Sequence, residues 1–500
     1  MKYATYKFCL VYKISSQTLT DIMFFNPRPV VNYQFQGHCM KPKIKNFNAL
    51  IAQGERQNRI RTINILESAL QKLDSTKIIQ NLIRLDGDIL EIGNMRWDIG
   101  KKKKIFVIGA GKAGNAMAKG IEDVLGTMIT AGLVIVKNKE PDDELQFIEL
   151  IEGGHPLPNE NGVKGSLRIL DLIDKAGPDD LFISLISGGS TALISCPVHE
   201  VSLEDEIHIS DLLLKCGARI LEINAIRRHI SQTNGGRIAQ KIEGKGAELI
   251  NLVISDFVGD YWMVSPKTPV ALVGTPVGLD KTTLKDAMNV LSKYDLTSRA
   301  PNSIVKYLKK IEPNHETPKS FHGRIHSFVI QGSADASLAV QKAAEQEGLN
   351  AFILTTFLEG ESREAGIFLA NVAKEIKTHK RPFPTPCAVI AGGETTTRIQ
   401  GLCGMGGPSQ ELALGFALEI AGQNGICIAA LDTDGTDGPS LYAGALTDGT
   451  TVERASALGC DVYKHLECHD SLPLLKAIGD LILTGNTGTN LCDVNLLVIE

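Results

Sequence analysis

An acidic loop near the C-terminus carries the densest group of chemically active residues in this sequence. Asp432, Asp434 and Asp437 fall within six residues, in the run DTDGTDGP that follows the apolar segment ICIAAL. Carboxylates this close raise one another's pKa unless a cation or hydrogen-bond donors lie among them. Oxygen ligands on a glycine-rich loop suit Mg²⁺, which keeps some waters and is completed by nucleotide phosphates. A solvated turn is the alternative, because Asp and Gly are also typical turn residues.

A glycine loop in the first third of the chain carries a lysine. The run GAGKAG, with Gly111 and Lys112 at its centre, follows an apolar segment and has the GxGxxG spacing of a dinucleotide-binding turn. That fingerprint also requires an acid at the end of the next strand, where this chain has Lys137 and Asn138. Backbone N–H groups at a helix start, together with an ammonium group, favour an anion. We therefore expect a carboxylate or a phosphate to bind here.

Other polar side chains follow apolar runs in the same way. The run SGGST could cradle an anion through its amides and hydroxyls, or could be a helix cap with a tight turn. Glu394 ends the strand-like run CAVIAGG, so it would point into a ligand cleft. The candidate contacts to substrate or phosphate are Gly111, Ser187, Gly188, Gly189, Ser190, Asn224, Glu394, Gln410 and Asn490.

A predicted helix carries two of the candidate polar groups. Asn224 and Arg227 lie one turn apart and therefore share a face of the segment INAIRRHIS. Arginine suits bidentate recognition of a carboxylate or a phosphate. For the neighbouring Arg228 we expect an ordinary surface position.

The elements that must position these residues alternate between apolar strands and helices. Strands that end in glycine loops and lead into helices indicate an α/β protein with parallel sheets, whose ligands bind at the carboxyl ends of the strands. We predict two Rossmann-like α/β domains with mostly parallel sheets and an active-site cleft between them. The polar, proline-bearing stretch between them sets the predicted domains at residues 46–310 and 320–500. Residues 1–45 read as an atypical extension without a functional role.

Composition limits the class of protein. With 500 residues, 22% charged residues and a net charge of −5, the chain is typical of a multidomain globular protein, and nothing favours a nucleic-acid or membrane partner. The ten cysteines form no CxxC pair, so we expect free thiols in a reducing compartment, the cytoplasm, and no zinc site. Enzymes built on such sheets commonly pair, so a homodimer is an expected assembly.

The ordered set of motifs resembles one family. GAGKAG, GGHPLPNENG, SGGSTALIS, INAIRRHISQTNGGRIA, GGETTT, GGPSQELAL, DTDGTDGP and GDLILTGNTGTNLCDV follow the order of the glycerate 2-kinases with a C-terminal MOFRL domain. The resemblance implies phosphorylation of D-glycerate at its 2-hydroxyl by ATP and Mg²⁺. It implies catalytic roles for Lys112, Arg227 and Asp434, and Mg²⁺ ligation by Asp432, Asp434 and Asp437. An NAD(P)-dependent hydroxypyruvate reductase is the alternative, against which the missing ribose acid argues.

One departure from the family pattern lies at Pro408. Many relatives carry GxGGRNQE, whereas this chain reads GMGGPSQE and lacks the basic residue. If that residue neutralises phosphoryl charge, we expect that Arg227, Arg237 or Arg398 replaces it or that turnover is lower.

Overall fold

The computed structural model describes residues 41–140, 144–259, 276–310, 312, 315–399, 401 and 403–500. The first forty residues, most of the predicted extension, lie outside this range. No helix in these described ranges combines the length and the apolar character that a membrane span requires.

The described chain forms strands and helices in alternation. The strands are β1 Ile83–Asp86, β2 Ile89–Ile92, β3 Met95–Asp98, β4 Ile105–Ala110, β5 Ala131–Val136, β6 Ile148–Glu152, β7 Leu181–Ile186, β8 Glu248–Ile254, β9 Ile325–Gln331, β10 Asn350–Leu358, β11 Cys387–Gly393, β12 Ile426–Asp432, β13 Gly444–Asp448, β14 Leu481–Ile482 and β15 Asp493–Ile499. The helices are α1 Phe47–Leu50, α2 Arg56–Lys72, α3 Ser75–Leu82, α4 Gly114–Leu125, α5 Glu160–Asp174, α6 Ser190–Leu193, α7 Leu203–Lys215, α8 Ile220–His229, α9 Arg237–Gly244, α10 Leu284–Lys293, α11 Asn302–Lys309, α12 Ser333–Gln346, α13 Ser362–His379, α14 Pro408–Glu419, α15 Thr451–Ala457, α16 Val462–Glu467 and α17 Ser471–Ala477.

The first large sheet is fully parallel, in the order β6-β5-β4-β7-β8-β9. Its central strands β4 and β7 are buried along their whole length, which explains why IFVIGA and LFISLI are almost continuously apolar. The loops after β4, β5, β7 and β8 leave the sheet at the same edge, since the strands run in one direction. This sheet confirms the predicted α/β class.

The second large sheet differs from the mostly parallel arrangement predicted for it. Its order is β10-β11-β15-β12-β13-β14, and only β10 and β11 are parallel, while the other pairs are antiparallel. The last strand, β15, lies between β11 and β12 and is buried throughout. Strands buried on both faces are continuously apolar in either orientation, so the sequence pattern gives no sign of their direction.

The change from one sheet to the other comes later in the chain than the predicted domain boundary. Strand β9 pairs with β8 in the first sheet, although its residues lie beyond position 320. The sheets therefore change between β9 and β10, across helix α12. The short stretch before residue 320 is a connection within the first unit, because β9 follows it.

The start of the described chain is attached to the second sheet. Ile44 is buried, the backbone N–H of Lys45 donates to Leu483 O at 2.8 Å, and Lys43 Nζ forms an ion pair of 2.6 Å with Asp74. The last residues of the predicted extension 1–45 thus make contacts with the folded chain.

A buried arginine links helix α2 to the second sheet. Arg59 is fully buried, with Nε 2.5 Å from Asp448 Oδ2 and Nη1 2.7 Å from Asp480 Oδ1. Burial raises the pKa of Asp448, but the guanidinium outweighs it and holds that pKa below its ordinary value. The N-terminal helix and the C-terminal sheet therefore depend on each other for charge neutralisation.

We predict that Arg59→Met lowers the free energy of unfolding by about 3–5 kcal/mol, because removing one partner leaves buried carboxylates uncompensated. Urea unfolding followed by circular dichroism measures this change. Arg61→Met is the control, since the pair between Arg61 and Glu500 is partly exposed, 35% and 39% of each side chain, and should change stability little. Equal effects of the two substitutions would contradict the structural role of Arg59.

Candidate active site

Two glycine loops at the carboxyl edge of the first sheet hold each other in place. The loop after β4 approaches the loop after β7 so closely that a Cβ on Gly111 would lie 2.0 Å from Ser187 Oγ. Ser187 Oγ accepts a hydrogen bond of 3.0 Å from the Ala113 backbone N–H, and Lys112 N–H donates to Gly188 O at 3.0 Å. Ser187 thus joins the two loops, a role that the predicted ligand contact did not include.

The second of these loops also packs against an acid that the sequence prediction missed. A Cβ on Gly188 would lie 1.7 Å from Asp256 Oδ2 and 2.0 Å from Asn490 Nδ2, so only glycine permits this approach. Asn490 Nδ2 donates to Asp256 Oδ2 at 2.9 Å. The next residue, Gly189, has a φ of +83°, and a Cβ there would lie 2.8 Å from the ring of His155. Asp256 lies two residues after β8, and its sequence signal was an acid that follows a parallel strand.

The acidic loop of the second sheet folds around its own carboxylates. Asp432 Oδ1 accepts the backbone N–H of Asp434 at 3.1 Å. Asp434 Oδ1 accepts the N–H and the hydroxyl of Thr436 at 2.8 and 2.7 Å. These hydrogen bonds leave the other carboxylate oxygen of Asp434, Oδ2, directed toward the first sheet.

The two sheets meet in an ion pair between Lys112 and Asp434. Lys112 Nζ lies 2.5 Å from Asp434 Oδ2, and the side chains are only 12% and 4% exposed. Burial lowers the pKa of Lys112, but the carboxylates of Asp434, Asp432 and Asp256 outweigh burial and hold the pKa above its ordinary value. The lysine is therefore a permanent cation between loops of both sheets. The structure thus brings together residues that the sequence placed more than 300 positions apart.

A thiol lies within the same group of acids. Cys492 Sγ donates to Asp256 O at 2.7 Å. Burial, followed by the charges of Glu394, Asp256, Asp493 and Asp432, raises the pKa of Cys492 well above its ordinary value. The thiol stays protonated, which excludes a thiolate nucleophile at this position.

Two predicted ligand contacts, Asp437 and Gln410, form hydrogen bonds within the second unit. Asp437 Oδ1 and Oδ2 accept the backbone N–H groups of Ser409 and Gln410 at 3.1 and 2.9 Å, so the carboxylate caps helix α14. The Gln410 side chain is buried and its Nε2 donates to Ser440 Oγ at 3.1 Å. Both carboxylate oxygens of Asp437 thus contact the start of helix α14, and its ligation of Mg²⁺ stays a prediction.

Helix α8, which carries two of the predicted residues, packs against helix α7. Arg227 Nε donates to Ser210 Oγ at 3.1 Å, and burial lowers the Arg227 pKa despite the nearby charge of Glu206. Within the described residues, Arg227 Nη2 and Asn224 Oδ1 are buried without a hydrogen-bond partner. Arg228 is also buried, and its Nη1 lies 3.0 Å from Asp280 Oδ1, so the surface position expected for it was wrong.

The remaining predicted contacts, Glu394 and Ser190, lie in the segments that follow β11 and β7. Glu394 follows β11, is exposed, and has its backbone N–H bonded to Leu358 O at 2.9 Å. Ser190 begins the short helix α6 and is buried.

The acids around Lys112 offer hard oxygen donors that suit Mg²⁺. In the described parts of the chain, no group of three or more His, Cys, Asp or Glu side chains is arranged to hold a metal alone. Mg²⁺ normally takes one or two carboxylates and completes its shell with phosphate and water, so Asp432 and Asp434 fit such an ion.

Comparison with known proteins places this geometry in a family. Residues 61–309 match the family described as a domain of unknown function, DUF4147, and residues 387–493 match the MOFRL family. The glycerate 2-kinase of Pyrococcus horikoshii is 38% identical over 442 residues, covering 87% of this chain and 96% of the relative. This chain belongs to the glycerate 2-kinase family. The match confirms the family that the motifs predicted.

Further members of the glycerate 2-kinase family agree in sequence and in structure. The D-glycerate 2-kinase of Thermotoga maritima is 37% identical over 391 residues, 78% of this chain and 89% of the relative. The crystal structure of glycerate kinase from the same organism superposes with a TM-score of 0.73 at 34% identity, covering 89% of this chain and all of that chain.

We predict that Asp437→Ala destabilises the protein by about 1–2 kcal/mol, the cost of losing a helix N-cap. Thermal unfolding measures the loss. The Mg²⁺ concentration for half-maximal activity should stay at the wild-type value, because the carboxylate serves helix α14. A raised Mg²⁺ requirement with unchanged stability would instead identify Asp437 as a metal ligand.

Proposed function

We propose that this protein transfers the γ-phosphoryl group of ATP to the 2-hydroxyl of D-glycerate, giving 2-phosphoglycerate and ADP. The observation that carries the proposal is the buried Lys112–Asp434 pair, which joins a glycine loop and an acidic loop from the two sheets. Relatives named glycerate 2-kinase and D-glycerate 2-kinase support the choice of acceptor. Phosphoryl transfer requires mainly positioning and charge neutralisation, which this arrangement supplies.

Lys112 is the proposed contact to the phosphoryl group in transfer. An ammonium group has three N–H donors, so Lys112 can keep its bond to Asp434 and still bind a phosphate oxygen. Its charge is fixed by the surrounding carboxylates, and its position is fixed by the loop bond from Lys112 N–H to Gly188 O. A preorganised cation in a water-poor site stabilises charge that develops in the transition state.

The acids provide the second half of the chemistry. Asp432 and Asp434 are the proposed Mg²⁺ ligands, and the ion, when bound, neutralises phosphate charge. Asp434 is also the proposed acceptor of the hydroxyl proton, because its carboxylate lies beside Lys112 and so beside the phosphoryl group. Thr436 holds the other oxygen of Asp434 and so fixes the direction of the carboxylate.

Helix α8 is the proposed contact to glycerate. A buried guanidinium nitrogen and a buried amide oxygen that lack partners in the described structure require polar groups from a ligand or from water. We assign Arg227 Nη2 to the glycerate carboxylate and Asn224 Oδ1 to one of its hydroxyl groups. The two residues lie one turn apart on α8, as a small hydroxy acid requires.

A cytoplasmic location is proposed on the state of the thiols. The cysteines in the described ranges are free, including those that are partly exposed. Free thiols are typical of a reducing compartment.

Phosphorus NMR of the products from D-glycerate, ATP and Mg²⁺ tests the proposed function. A 2-phosphoglycerate signal that grows with ADP is the expected result. Formation of 3-phosphoglycerate would overturn the assigned hydroxyl. No phosphorylated product, together with oxidation of NADH by hydroxypyruvate, would overturn the kinase proposal in favour of a reductase.

We predict that Lys112→Ala lowers kcat at least about a hundredfold, the scale for removing one preorganised transition-state contact. Coupled detection of ADP measures the rate. Lys119→Ala is the matched control, because this lysine lies on helix α4 with its side chain half exposed and should leave kcat unchanged. A near-normal rate for Lys112→Ala would remove this residue from the chemistry.

A further inference from the structure

A second lysine reaches the acidic loop from the first sheet. Lys137 directly follows β5, the strand that pairs with β4 in parallel register up to Ala110 and Ile135. Its Nζ donates to Thr436 Oγ1 at 3.1 Å. Lys112, after β4, contacts Asp434 in the same loop. Two neighbouring strands thus send one lysine each across the cleft to a single loop of the second sheet.

The two lysines are connected through that loop. Thr436 Oγ1, which accepts from Lys137, donates to Asp434 Oδ1 at 2.7 Å, and Asp434 Oδ2 pairs with Lys112. Neighbouring strands lie about 5 Å apart, so the two lysines leave the sheet from adjacent positions. The phosphate chain of a nucleoside triphosphate extends over a comparable length and carries several negative charges.

The two lysines differ in their surroundings. Lys112 is buried between carboxylates, which hold its ammonium group in one position. Lys137 is only half-buried, and one of its contacts is to the neutral hydroxyl of Thr436. Exchanging a neutral hydroxyl for a charged phosphate oxygen strengthens the hydrogen bond of an ammonium group.

We propose that Lys137 binds a phosphate oxygen of the nucleoside triphosphate, so that lysines from β4 and β5 hold the phosphoryl donor together. The inference rests on the proposed kinase function and assigns Lys137 a contact to the donor. Where a dinucleotide-binding protein has an acid for ribose, this chain has a cation for phosphate.

Steady-state kinetics of Lys137→Met test the proposal. The KM for ATP should rise about tenfold, the size of one hydrogen bond between charged groups, while the KM for D-glycerate stays within about twofold. Inorganic tripolyphosphate, used as a competitive inhibitor, should weaken by the same factor as ATP, and Lys137→Arg should restore most of the affinity. Lys139→Met is the matched control, since Lys139 is exposed two residues further along and should behave as wild type.

A purely structural role for Lys137 gives a different result. If the lysine only links the two sheets, Lys137→Met should raise the KM for D-glycerate as much as the KM for ATP. That outcome, or an unchanged KM for ATP in Lys137→Met, would overturn the proposal.

The same variants separate this inference from the proposed function. Titration calorimetry with tripolyphosphate needs no turnover and no glycerate. If wild type fails to phosphorylate D-glycerate but binds tripolyphosphate more tightly than Lys137→Met, the kinase proposal fails and the Lys137 assignment stands. Equal binding by the two proteins would overturn the assignment, whatever the enzymatic activity.

Discussion

A single buried ammonium group, Lys112, sets the main constraint on this structure. A charge removed from water requires compensating partners, and here they come from loops of two different sheets. The carboxyl edge of the first sheet must therefore face the acidic loop of the second. The same constraint explains why glycine occupies positions 111 and 188. A side chain at Gly111 or Gly188 would push apart the loops that carry Lys112 and Asp256.

The rest of the chain keeps these two edges opposed. Helix α2 comes early in the sequence, yet Arg59 is neutralised by Asp448 and Asp480 near the C-terminus. Lys43 adds a bond of 2.8 Å to Thr487 O, in the loop before the last strand. The two sheets are thus connected by the chain between β9 and β10 and also by its N-terminal segment. Such links fix the distance between loops that must share a ligand.

The features that the sequence predicted are those determined locally. A strand, a glycine turn and a helix start are each determined by consecutive residues. The loops that contain Lys112 and Ser187 could therefore be located in the sequence and assigned to one edge of a sheet. The antiparallel pairing of β15 could not be predicted, because its partner strands are distant in sequence. A strand that is buried throughout also has the same apolar pattern in both directions. The sequence also did not distinguish the roles of the acidic residues. Asp434 and Asp437 are three residues apart in the same loop, but one meets Lys112 and the other meets the amides of α14.

The central claim is that Lys112 and Asp434 act as one unit across the two sheets. A double-mutant cycle on kcat/KM for D-glycerate phosphorylation, with Lys112→Ala, Asp434→Asn and the double variant, tests it most directly. Residues that act as a unit are strongly non-additive, so the double variant should be little slower than the slower single variant. Losses that multiply, as they do for independent residues, would contradict the account.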